Sequence, residues 1–427
     1  MDPHTPRGCL MLAILTTHPI QYQVPLWQAL ARDGRVPFEV WYLTDHGTRS
    51  SLDREFGQTF AWDIDTLSSY THRFLDVGER AIPTSFWECR LRERLRDRLR
   101  ASNATALWIQ GWQVAAYWQA VREAKSAGVE VWLRGESNDL APQPPWKRAL
   151  KWVRNGWLFR RVDRFFYIGK ANRRLYEEFG VTEANLYPAP YAVDNERFAM
   201  QAAALRPHRA TLRKQWGIPE DAFCVLFCGK FIPKKRPLDL VTAARTLIKK
   251  KALSKLHLLF VGSGVLGPEL RRGCRVVCDT EGQLPSPRVG CKNSEPPLPP
   301  ASFTGFLNQK EISQAYVAAD CLVLPSDYRE TWGLVVNEAL ASGLPCLVSQ
   351  ACGCAEELSS CGTFALADIE TLSSKLLRVA QRGCEIVAPP TISESVASIV
   401  RAFSESRISA PVDQCNTLLD RGGNSIS

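Results

Sequence analysis

Short apolar runs alternate with longer amphipathic stretches in two successive series, and this alternation constrains the chain more than anything else in it. Apolar runs of strand length suit strands covered by helices on both faces, so the pattern predicts βα units and parallel sheets. In the first series the predicted strands are 9–15, 36–43, 106–111, 129–135, 164–169 and 185–191; the predicted helices are 20–31, 88–102, 113–126, 146–160 and 170–179. The second series has strands at 223–230, 256–262, 321–326 and 346–350, with helices at 238–250, near 266–272 and at 333–342. A chain of 427 residues exceeds one hydrophobic core, since single domains mostly stop near ~250–300 residues. The expected fold is therefore α/β, with two doubly wound Rossmann-like domains facing across a cleft. They cover 1–200 and 210–390, followed by a helix and frayed tail over 391–427. The break falls in an Ala- and Arg-rich connector at 193–215. Residues 273–302 are Pro-rich, carry no periodicity, and read as a surface insertion.

Composition enters through charge and cysteine. The formal net charge is +9, and ten Lys/Arg against the single acid Asp163 between Lys147 and Arg174 account for an excess of that size. A second basic run, Arg90 to Arg100, sets six arginines among two acids. Such fields attract polyanions or anionic membrane surfaces, or belong to solvated helical faces. No zinc knuckle, aromatic RNP pattern or recognition-helix signature accompanies them, so nucleic acid is not an expected partner. The 14 cysteines follow no disulfide framework: Cys224, Cys228, Cys321 and Cys346 lie inside apolar strand candidates. Cys274, Cys278 and Cys291, like Cys352 and Cys354, lack the paired C-x2-C spacing of a zinc site, so no metal is expected. A reducing cytoplasm fits best. The apolar stretch 9–15 has no cleavage signal after it, and no run reaches the ~20 apolar residues of a membrane span.

The segment PSDYRETWGLVVNEALASGLP, 325–345, carries the most chemistry. Glu330 and Glu338 stand in an E-x7-E arrangement, the first in a loop after a strand and the second about two turns into the next helix. Gly333 opens that helix, which would leave the amides of Trp332, Gly333, Leu334 and Val335 facing the cleft as an anion site. The two carboxylates can then grip hydroxyls on either side of a phosphate. A pair of glutamates at this spacing is, by itself, most often surface charge. In GKFIPKKR, 229–236, Lys230 and Lys235 follow a strand end, where ammonium groups can neutralise a departing diphosphate; alone, the loop reads as basic surface. Gly262-Ser263-Gly264 follows a third strand and permits close backbone approach.

Taken together, these blocks resemble the retaining glycosyltransferases of family 4, the group 1 transferases with a GT-B fold. The resemblance runs from FCGKFIPKKRPLDLVTAAR through LLFVGSG and FTGF to ADCLVLPSDYRETWGLVVNEALASGLPCLVS. It implies a donor-binding second domain and an acceptor-binding first domain. Lys230 and Lys235 would hold the donor diphosphate, Glu330 the donor sugar and Glu338 the ribose. Glu330, Lys230 and Lys235 would be the catalytic set. Backbone around Phe306 should border the base, and the amides at Leu334 and Val335 the phosphates. Thr331-Trp332 stands where relatives commonly carry Gly-Phe.

The first half resembles the family more loosely. THPIQYQVPLWQAL places His18 and Gln21 near the cleft on the acceptor side, or His18 caps the first helix beside Pro19. Where many relatives have a histidine after the fourth strand, this chain has Arg134-Gly135-Glu136-Ser137; Arg134 and Glu136 suit a structural ion pair as well as a catalytic role. The implied activity is metal-free, hexosyltransferase-type, retaining transfer from a UDP- or GDP-sugar to a glycan or lipid-linked glycan, in polysaccharide or cell-envelope glycan biosynthesis. No cofactor is expected, the nucleotide sugar being a co-substrate. A nucleotide-sugar epimerase or hydrolase of the same fold is the alternative. Trp146, Leu150, Val153 and Trp157 recur at helical spacing among basic residues. This stripe is expected to pack on the sheet, as helices of doubly wound domains do; the other reading lays it on the inner face of an anionic membrane.

Overall fold

The structure is a computed structural model that describes residues 10–48, 51–53, 58–60, 63–78, 81–82, 85–282 and 298–409. Leu12, Ala13, Ile14 and Leu15 are wholly buried, as are Leu107, Trp108 and Ile109 beside them. Strands apolar on both faces need helices above and below, and this drives the doubly wound arrangement. The first sheet is built from β1 (Met11–Thr16), β2 (Phe38–Tyr42), β5 (His72–Phe74), β6 (Ala104–Ile109), β7 (Glu130–Arg134), β8 (Arg164–Tyr167) and β9 (Leu186–Pro188). Its order is β5-β2-β1-β6-β7-β8-β9, every pair parallel. Between β2 and β5, β3 (Ser51–Asp53) and β4 (Gln58–Phe60) form a separate antiparallel pair.

The second sheet contains β10 (Phe223–Cys228), β11 (Leu256–Val261), β12 (Arg275–Asp279), β13 (Pro300–Phe303), β14 (Cys321–Leu324), β15 (Cys346–Ser349) and β16 (Thr363–Phe364). It is also all parallel, in the order β12-β13-β11-β10-β14-β15-β16. Two doubly wound α/β lobes are thus present, as the alternation predicted.

Several local expectations change. Residues 20–23 form a turn, with Ile20 O accepting from the Gln23 and Val24 amides, and the helix runs Val24–Asp33. His18 therefore does not cap it. The connector at 193–215 is helical: Asp194 accepts from the Arg197 amide at 3.1 Å and starts Asn195–Leu205, and a further helix covers Arg209–Gln215. Part of 273–302 is sheet rather than insertion, because β12 pairs along β13 at the edge; residues 283–297 lie outside the described set. Cys361 and Cys384 form a disulfide that the cysteine spacing gave no sign of. The helix Ile392–Ser409 buries Val396, Ile399, Ala402 and Phe403 in the first lobe's core beside Leu12 and Trp27. The tail from 410 onward is outside the described residues.

Candidate active site

The chain leaves β10 through Gly229, at φ 146°, a left-handed value that favours glycine. The backbone then rises as Lys230 and Phe231 and turns through Pro233–Lys235 before the helix Pro237–Lys249. Gly262 and Gly264 hold this loop against the next one. A Cβ on Gly262 would lie 2.2 Å from Gly229 O, and one on Gly264 2.8 Å from Phe231 O. Phe231 N donates to Ser263 O at 2.7 Å. The close approach expected at these glycines is thus made by the Lys230 loop itself.

Because β14 neighbours β10, the loop after β14 lies beside the lysines. Asp327 N donates to Lys234 O at 2.8 Å, and Lys235 Nζ forms a salt bridge with Glu330 in which both side chains are largely sheltered. The sequence put these two groups at separate strand ends; the sheet order joins them. Gly333, at φ 110°, precedes the helix Leu334–Ala341, so Leu334 and Val335 present first-turn amides beside this ion pair.

Glu338 sits one turn into that helix, closer to its start than the two turns expected, and is 3 % exposed. Tyr316 OH donates to Oε2, Gln309 Nε2 to Oε1 at 3.3 Å, and Tyr22 OH is in hydrogen-bonding reach. Burial nonetheless dominates and raises the Glu338 pKa. Tyr22 comes from the first lobe, one residue after Gln21. Gln21 is buried, and among the described residues its Oε1 has no hydrogen-bond partner. Spacing gave no hint of Tyr22, Tyr316 or Gln309, since each reaches Glu338 from a distant part of the chain.

Loops at the carboxyl ends of the first sheet meet those of the second. Asn138 Nδ2 donates to Thr331 O at 3.3 Å. Asn337 bridges the lobes, donating to Tyr191 O and accepting from Trp332 Nε1, each at 2.9 Å. Trp332 is buried and stands against Gly169, where a Cβ would come within 2.3 Å of its ring. Arg134 is buried, with its guanidinium 4.5 Å from the Tyr191 ring centroid, while Tyr191 OH donates to Glu136. The two residues therefore engage a shared tyrosine at the cleft edge. Burial lowers the Arg134 pKa. His18 contacts Thr17 Oγ1 through Nδ1 at 3.0 Å and stands edge-on to His46. Burial first, and His46 second, lower its pKa to about 4, so the imidazole is neutral near pH 7. Phe306 lies in the loop after β13, half-buried, beside Gly305, whose carbonyl accepts from Gly262 N. Among the described residues no group of three His, Cys, Asp or Glu side chains is placed to hold a metal ion.

Two doubly wound lobes whose strand carboxyl ends face one another have the GT-B fold, and Lys235, Glu330 and a helix start gather at the carboxyl ends of the second sheet. Residues 208–370, which lie in the second lobe, match the family described as glycosyl transferases group 1. The D-inositol 3-phosphate glycosyltransferase of Thermomonospora curvata is 30 % identical over 179 residues, 40 % of this chain and 37 % of that protein. The counterpart in Nocardia farcinica is 33 % identical over 183 residues, 42 % and 36 % of the two chains. The chain thus spans little more than a third of the length of these curated relatives. Among solved structures, a glycosyltransferase from Rickettsia africae superposes with a TM-score of 0.61 at 12 % identity, over 94 % of this chain and 100 % of that one. Anabaena Alr3699/HepE in complex with UDP and glucose gives a TM-score of 0.55 at 14 % identity, over 93 % and 95 %. At these identities the likeness is one of fold.

Proposed function

We propose that the protein transfers a sugar from a nucleotide-sugar donor to a glycan or lipid-linked glycan with retention of anomeric configuration. The observation that carries this reading is the Lys235–Glu330 pair beside the first-turn amides of Leu334 and Val335, within the region that matches the group 1 family. Lys235 has three N–H donors, so it can keep Glu330 and still engage a diphosphate. Lys230, earlier in the same loop after β10, adds a second cation. Glu330 is then positioned to orient the hydroxyls of the donor sugar, and Glu338 those of the ribose. In the proposed step the bond from the anomeric carbon to the phosphate oxygen breaks. A bond to the acceptor oxygen forms on the same face, and the acceptor proton passes to the departing diphosphate. Lysines and amides carry the growing charge, so no divalent cation enters. Arg134, Glu136, His18 and Gln21 border the acceptor side.

The test begins with a thermal-shift panel of UDP, GDP, ADP and their sugars. A true donor at 100 times its Kd should stabilise the fold by about 2.7 kcal/mol. With that donor, replacing Lys230 and Lys235 by alanine should cut kcat/KM by about 10²–10³ or more while leaving the fold intact. Unchanged turnover in that variant, a product of inverted configuration, or activity abolished by chelator and restored by magnesium would each refute part of the scheme. Nucleotide release at full turnover rate without acceptor would point to a hydrolase.

A further inference from the structure

In the helix Pro145–Phe159 the buried side chains are Asn155, Leu158 and Phe159. At 3.6 residues per turn, Trp146, Leu150, Val153 and Trp157 fall within an arc of about 60° on the roughly opposite side. The stripe expected to pack on the sheet therefore points outward: Trp146 is 65 % exposed, Leu150 66 % and Val153 64 %. A helix is normally amphipathic the other way, with its apolar stripe toward the core. Among the described residues no other element covers Trp146, Leu150 and Val153, while Trp157 at the far end of the stripe is half-buried against the first lobe's core.

A line of half-buried rings runs from this helix to another exposed tryptophan. Trp157 stacks on Trp118 with centroids 5.4 Å apart, Trp118 meets Phe86 at 6.5 Å, and Phe86 meets Trp87, itself 71 % exposed. Cations flank these rings: Lys147 at 5.2 Å from the Trp146 centroid, Arg161 at 3.9 Å from Trp157 and Arg90 at 6.0 Å from Trp87. Residues 145–161 hold six Lys/Arg and no acid. Among the described residues, Asp139 and Glu178 are acids whose charge reaches Lys151 of this helix, and Glu178 also feels Arg148; both cations lie off the stripe.

We propose that this face seats the first lobe on an anionic lipid bilayer, with Trp146, Leu150, Val153 and Trp87 entering the headgroup boundary. The charge pattern selects this occupant. Aliphatic and tryptophan side chains gain by leaving water at the interface, and the flanking cations gain from anionic headgroups. A second copy related by a two-fold axis would bring the same basic belt against itself. A polyanion such as RNA would use the cations but leave Leu150 and Val153 with nothing to bury them.

Flotation of the full chain with vesicles of phosphatidylcholine, with and without phosphatidylglycerol, tests this. The wild type should float with anionic vesicles, far less with neutral ones, and less as salt rises. A Trp146→Ala, Leu150→Ala, Val153→Ala variant should bind about tenfold more weakly or worse, as should Lys147→Glu with Arg154→Glu. Met200→Ala, exposed on another helix, should bind like the wild type. Melting curves matching the wild type confirm that each variant is folded, which these solvent-facing positions favour. Flotation unchanged in the apolar triple variant overturns the proposal, as does no flotation on anionic vesicles. A dimer in sedimentation that the triple variant dissolves assigns the face to a second copy, also overturning it. No donor sugar enters the assay, so its result is separate from that of the transfer reaction.

Discussion

Glu338 and His18 are residues whose protonation the fold has moved in opposite chemical directions. Burial raises the Glu338 pKa despite donors from Tyr316, Gln309 and Tyr22. A group raised in this way supports the fold below its unfolded pKa, and that support is lost as pH rises through its folded value. The Tm of Glu338→Gln relative to wild type should therefore climb with pH, as calorimetry across pH can show. If Glu338 holds the ribose, the same variant should raise the donor KM by about 10- to 100-fold, the worth of one charged hydrogen bond. His18 and His257 have pKa values lowered to about 4 from 6.5, both chiefly by burial. Their contribution is present above pH 6.5 and is lost as pH falls toward 4, because the unfolded chain takes up the protons first. Wild-type stability should fall through that window, and His18→Asn or His257→Asn should each flatten the slope by up to one proton.

At the scale of the element, loops are held in place by glycines that admit a neighbouring backbone. Gly353 N donates to Glu330 O at 3.2 Å, and a Cβ there would lie 1.8 Å from Thr331 O, which is backbone and cannot swing aside. Gly353→Ala should displace the Glu330 loop, lowering kcat more than tenfold and costing about 1–3 kcal/mol in chemical denaturation. Gly156→Ala meets nothing within 4 Å in its helix, and the same measurement should find it more stable by about 0.5–1 kcal/mol. Helices show the limit of pattern reading. Period 3.6 marked Trp146, Leu150 and Val153 as one stripe, but a period states only that a face exists. Which side docks depends on what stands opposite, and here Asn155, Leu158 and Phe159 took the inner place.

Across the whole molecule, Trp332 stands at the centre of one group of buried contacts between the two lobes. It packs on Gly169, meets the Tyr191 ring at 6.1 Å between centroids, and donates to Asn337. Trp332→Ala should cost about 3–5 kcal/mol, the range for emptying a large aromatic site. Trp332→Phe should cost about 1–3 kcal/mol, since Asn337 Oδ1 loses its donor. Denaturant midpoints of the two variants check both values, and kcat should fall in parallel where the lobes lose alignment. The exposed Arg174–Glu356 pair also crosses between the lobes, and its removal should change little.

Two sheets of parallel strands, and the placing of Lys230, Lys235 and Glu330 at strand ends, follow from the sequence alone. Strand, loop and helix are local consequences of apolar runs, glycines and prolines, and chemistry carried on one short segment travels with it. Tertiary structure alone decided the rest. It brought Lys235 onto Glu330 through the order of β10 and β14, and carried Tyr22 across the cleft to Glu338. It also paired Cys361 with Cys384, converted 275–279 into an edge strand, and turned the tryptophan-bearing helix face outward. The reason is common to all of these. Each depends on a contact between residues far apart in the chain, chosen by competition for one buried volume, and no local periodicity encodes the winner.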